Sequence, residues 1–145
     1  MTGTRAIGLA LGLVISAAGL ADGIRSPAPD GASLYFITPA DGSVVKGPVT
    51  VKFGLTGMGV APAGVDVPNT GHHHLLINLE EAVNPELPLP ATDQVRHFGG
   101  GQTETELSLP PGTYRLQLML GNHLHVPHDP PVMSEVITVT VAEQP

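Results

Sequence analysis

Apolar and polar residues alternate with a period of two along most of this chain, the spacing of half-buried β-strands. Tyr114, Leu116, Leu118 and Leu120, interleaved with Arg115, Gln117 and Met119, give the clearest case. Val49-Thr50-Val51-Lys52-Phe53-Gly54-Leu55 repeats the pattern, and Ile137, Val139 and Val141 alternate with Thr138 and Thr140. Leu34 to Ile37 and Thr103 to Leu109 read as further strands, and His73-Leu75-Ile77 against His74-Leu76-Asn78 defines the two faces of another. No stretch has helical periodicity, and Pro85, Pro88 and Pro90 exclude a regular helix from most of Glu80 to Gln94. Pro39-Ala40-Asp41-Gly42 reads as a turn, Gly57 to Gly71 as a loop, and Pro110-Pro111-Gly112 as the turn of a hairpin. The pattern predicts an all-β chain, an immunoglobulin-like β-sandwich of about seven strands.

Composition changes this picture mainly at the N-terminus. Arg5 precedes an apolar run from Ala6 to Leu20, and Gly19 and Ala21 place small residues at minus three and minus one of a cleavage site. The run is shorter than the roughly 20 residues that span a bilayer. Residues 1–21 are therefore expected to be a cleaved signal peptide, with an uncleaved anchor as the alternative, and the protein to be periplasmic or secreted. Residues 22–32, with Ser26-Pro27-Ala28-Pro29, read as a flexible tether, and 33–143 as a single domain. The 18 glycines and 15 prolines punctuate short strands rather than forming a low-complexity block.

After cleavage, five basic residues face thirteen acidic ones. That balance argues against nucleic acid and anionic membrane surfaces and favours cations. With no cysteine, the fold has no disulfides and any metal site no thiolate.

Histidine carries the candidate chemistry. Six of the seven lie in two clusters, His72-His73-His74 and His123-Leu124-His125-Val126-Pro127-His128, with His97 between them. Strand parity puts His72 and His74 on one face, a His-x-His pair able to offer two imidazoles to one ion. His73 points the other way with Leu75 and Ile77 and is expected to be buried and hydrogen-bonded. If the chain stays extended past Gly121, His123 and His125 repeat the pair, and Pro127 turns the backbone to present His128. The expected ligands are thus His72, His74, His123, His125 and His128, for a copper or zinc ion. The competing reading is that these rings only hydrogen-bond loops. Ring nitrogens more than about 7 Å apart would exclude a shared ion, since metal–nitrogen bonds are near 2 Å.

Several segments carry a resemblance: Phe36-Ile37-Thr38-Pro39-Ala40-Asp41-Gly42, Gly57 to Gly64, Asn69-Thr70-Gly71-His72-His73-His74-Leu75-Leu76-Ile77, His97 to Thr105, and Gly121 to Ser134. Together they resemble domain-of-unknown-function family 4399, a group of small exported bacterial proteins. The resemblance covers Tyr35 to Val141 and implies kinship without an activity. Asn78 stands where the family pattern has Asp, so no carboxylate is expected there.

Other residues admit weaker readings. Gly99-Gly100-Gly101 lacks the Lys-Ser/Thr of a phosphate loop and reads as a tight turn beside His97, a lone histidine read as structural with a further ligand as the alternative. Glu104 and Asp129 are candidates to orient imidazoles. Met58 and Met133 lie in loops, where a thioether either ligates Cu(I) or fills a gap. Ser134 with Asp129 and a histidine has no Gly-x-Ser-x-Gly elbow to support a hydrolase triad. Three functions follow in order: exported metal binding, delivery or tolerance; a structural or interaction module; and a metal-dependent enzyme, which would need a pocket beside the ion. The expected partners are the metal ion and another periplasmic protein, with no nucleic acid and no membrane span after processing.

Overall fold

A computed structural model describes residues 23–143, so the expected signal peptide lies outside the described residues. Nine strands and no helix make up the described chain, confirming the all-β class: β1 (Ser33–Thr38), β2 (Ser43–Lys46), β3 (Val49–Thr56), β4 (Gly59–Val60), β5 (Thr70–Ile77), β6 (Val95–His97), β7 (Glu104–Leu107), β8 (Gly112–Gly121) and β9 (Ile137–Ala142). β1, β3 and β7 form one sheet in that order. The second runs β2-β9-β8-β5-β4, with β6 also paired to β5.

The two sheets enclose one apolar core. Leu34, Val51, Phe53 and Leu107 of the small sheet meet Leu75, Leu116, Leu118, Leu120 and Val139 of the large one. Burying each such side chain contributes about 1.5–3 kcal/mol. This two-sheet arrangement is compatible with an immunoglobulin-like sandwich.

Pro110-Pro111-Gly112 is not the turn of a hairpin. β7 pairs with β3, whereas β8 pairs with β5 and β9, so this corner carries the chain from one sheet to the other. Tyr114, at the start of β8, donates its hydroxyl proton to the Pro110 carbonyl at 2.7 Å and closes the corner. Alternation marks Tyr114 to Leu120 as a strand but says nothing about which strand it joins.

The large sheet is buried on both faces at its centre. On the face away from the core, Leu76, Leu89, Val95 and Met119 form a second apolar cluster, with Leu79 and Val83 packed against it. The proline-rich segment between β5 and β6 thus lies over the sheet as a cover. Seven successive residues of β5, Gly71 to Ile77, are consequently buried. The segment read as a tether is tied down where it is described: Ala28 donates its N–H to the Asp129 carbonyl (2.8 Å) and Asp129 to the Ser26 carbonyl (2.9 Å).

Candidate metal centre

β5 supplies the first two imidazoles of the group as strand parity requires. His72 and His74 project from the covered face of the large sheet and are almost fully buried, while His73 points into the main core against Phe53 (ring centroids 5.1 Å). His73 is not hydrogen-bonded as expected: neither of its ring nitrogens has a partner.

The chain does not stay extended past Gly121. Asn122 donates its N–H to the Val126 carbonyl at 2.9 Å, and its Oδ1 accepts the N–H groups of Leu124 (2.9 Å) and Val126 (3.0 Å). Within this loop His125 adopts φ 65°, a left-handed conformation that histidine tolerates better than most residues. The reversal turns the ring back over β5, where His125 Nδ1 lies 3.1 Å from His72 Nε2. Asn122 also donates its side-chain amide to the Ile24 carbonyl at 2.8 Å and to Ser26 Oγ at 3.1 Å. Arg25 adds hydrogen bonds to the Pro127 and His128 carbonyls and a salt bridge to Glu86 at 3.1 Å. The N-terminal segment is therefore a strap on the loop that carries His125.

His97 arrives from the other edge. β6 pairs with β5 so that His97 stands opposite His74, and the Phe98 N–H binds the His73 carbonyl at 3.1 Å. Gly99 makes room for its ring: a Cβ there would lie 2.3 Å from His97 Cε1. His72, His74, His97 and His125 each offer a ring nitrogen, and the four atoms lie within 4.8 Å of one another. The ring centroids of His97 and His125 are 4.6 Å apart, those of His72 and His74 4.8 Å. His97 is exposed and His125 half-buried, so the group opens to solvent on that side.

Burial holds His72 and His74 neutral. It depresses His72 to about 4, aided by the charges of His125 and His97, and His74 to about 3, aided by His72, His97 and His125. His97 is lowered by burial and by His125. Neutral imidazole is the form that binds metal. The buried Nδ1 atoms of His72 and His74 have no hydrogen-bond partner, an arrangement that costs about 1–3 kcal/mol per group.

Of the five residues expected to ligate, His72, His74 and His125 converge, while His123 and His128 stand apart. His123 is near the surface, with Nδ1 3.3 Å from Asp66 Oδ1. His128 is buried, its Nε2 3.1 Å from the Thr70 carbonyl and its Nδ1 3.4 Å from that of Leu120. The left-handed turn at His125 is the reason, because it breaks the parity that would align His123 with His125. His97, favoured as structural with ligation left as the alternative, is the fourth member of the group; its spacing from the other clusters carries no signal, and only the β5–β6 pairing locates it. The carboxylates of Glu104 and Asp129 bind Lys52 (3.7 Å) and Arg25 (3.5 Å). Ser134 Oγ accepts the Leu118 N–H at 2.9 Å and donates to the Glu135 carbonyl, a structural role. Asn78, at φ 51°, accepts the Arg115 N–H at 2.8 Å through Oδ1.

Gly121 makes a direct test of this packing. A Cβ there would meet His74 Cε1 at 2.7 Å and Nδ1 at 3.1 Å, so the buried ring must shift. Gly121→Ala should therefore displace the His74 ring from the other three, as read by a change in its side-chain NMR resonances.

Fold and site together define an all-β two-sheet protein with a four-imidazole group on the covered face of its larger sheet. Residues 51–142 match the family described as Domain of unknown function (DUF4399), and the chain belongs to that family. Comparison with curated proteins and with solved structures returns no match.

Proposed function

We propose that this protein binds one transition-metal ion through His72, His74, His97 and His125, copper first and zinc second, and serves metal binding, delivery or tolerance outside the cytoplasm. The observation that carries the reading is the convergence of four ring nitrogens within 4.8 Å. Nitrogens on one tetrahedral ion with bonds of 2.0–2.1 Å are about 3.3 Å apart, so modest rotations of the more exposed His97 and His125 close the set. Affinity at nitrogen sites peaks at Cu(II), and the chain has no thiolate to shift it toward softer sites. The apolar run at residues 6–20 supports export.

Protein purified without a polyhistidine tag should take up one Cu(II) or Zn(II) per chain by elemental analysis. Nitrogen hyperfine structure in the Cu(II) electron paramagnetic resonance spectrum should fall from four equivalents to three in His97→Ala, whose side chain is exposed and carries little of the fold. Substoichiometric metal, unchanged in His72→Ala/His74→Ala, would sink the proposal. A second reading, a module whose rings only tie loops, rests on the His72–His125 contact and predicts that same null result.

A further inference from the structure

We propose a second, softer metal subsite at Met119 and Met133, which takes cuprous ion on the same sheet face as the histidine group. Register pairings carry the argument. His97 pairs with His74, His74 with Met119, and Met119 with Met133, so four potential ligands stand in one row across neighbouring strands. Partners in an antiparallel ladder share a face, with Cβ atoms about 4.5–5.5 Å apart. The row places Met119 between His74 and Met133 on one face of the sheet. The Leu120 N–H binds the Val132 carbonyl and the Ser134 N–H the Leu118 carbonyl, both at 2.9 Å, which pins Met133 opposite Met119.

The environment matches the ion. Met119 and Met133 line an open cavity of about 320 Å³ with Leu76, Pro127, Glu80 and Glu81. Met119 is buried, whereas Met133 is 41% exposed and gives the row an outer end. Thioether sulfur is a soft ligand that selects Cu(I). A monovalent ion also pays about a quarter of the desolvation cost of a divalent one of equal radius in such an apolar setting, because that cost scales with the square of the charge. The carboxylates of Glu80 and Glu81 raise the local cation concentration.

The thioether pair is testable independently of the histidine group. Protein labelled with carbon-13 at the methionine methyls is titrated with Ag(I), a redox-inert stand-in, and then anaerobically with Cu(I). The Met119 and Met133 methyl resonances should shift together at one equivalent, while Met58, packed against the main core, stays fixed. Met133→Leu should weaken Cu(I) binding roughly tenfold and leave Zn(II) affinity within about twofold, since zinc has little preference for thioether. Persistence of the paired shifts in His72→Ala/His74→Ala supports the subsite even where histidine loading fails. Zinc loading of the histidines with silent methionine methyls under Ag(I) and Cu(I) overturns the subsite and spares the metal centre. A shift of Met133 alone, or of Met58 equally, also overturns it.

Discussion

At a metal concentration a thousandfold above the dissociation constant, the folded protein should gain about 4 kcal/mol. For a domain of this size that gain raises the melting temperature by roughly 10–20 °C. Zinc is the better probe because it has no redox chemistry. His72→Ala/His74→Ala should melt at the same temperature with and without zinc, whatever its metal-free stability. That within-variant difference is the informative quantity, because removing two buried rings also leaves cavities. His123→Ala should keep the full zinc shift, its ring lying beside Asp66 and apart from the group. If the double alanine variant keeps the shift, the ion sits elsewhere.

A comparably large effect is expected from acid. Burial holds His72 and His73 at about 4 and His74 at about 3, against 6.5 for unperturbed histidine. Above pH 6.5 neither the folded nor the unfolded chain binds these protons, and they leave stability independent of pH. Below pH 6.5 the unfolded chain takes them up and the folded chain does not. Stability then falls by about 1.4 kcal/mol per group per pH unit until the folded values are reached. The metal-free protein should therefore unfold in acid between about pH 4 and 6, since a typical domain has only about 5–15 kcal/mol to lose. Bound metal should move that transition to lower pH. His73→Leu isolates one of the three groups, and it removes two buried nitrogens that have no partners. Its advantage over wild type in urea denaturation should widen by about 2 kcal/mol from pH 7.5 to pH 5. A constant difference between those pH values would contradict a neutral, buried His73.

Strand content was legible because alternation is a local property. β3, β5, β8 and β9 announce themselves in the spacing of Val, Leu and Ile, and parity correctly separates His73 from His72 and His74. Pairing is not local, so Pro110-Pro111-Gly112 looks like a hairpin turn although it joins two sheets. The short strands β2, β4 and β6 offer too few residues for a period to show. The same limit explains the site. His125 reaches β5 through one left-handed residue and a loop knitted by Asn122, and His97 through a three-residue strand. Both depend on backbone conformation that side-chain spacing does not encode.

The strap formed by Arg25 and its neighbours bears on where the protein can be cut. The family match begins at residue 51, yet a fragment trimmed to residues 51–142 would lack β1 and β2, baring the edges of β3 and β9. It would also leave the Asn122 amide without Ile24 and Ser26, and the Pro127 and His128 carbonyls without Arg25. Naked strand edges invite intermolecular pairing, so such a fragment is expected to aggregate. The smallest piece worth expressing therefore starts ahead of Ile24.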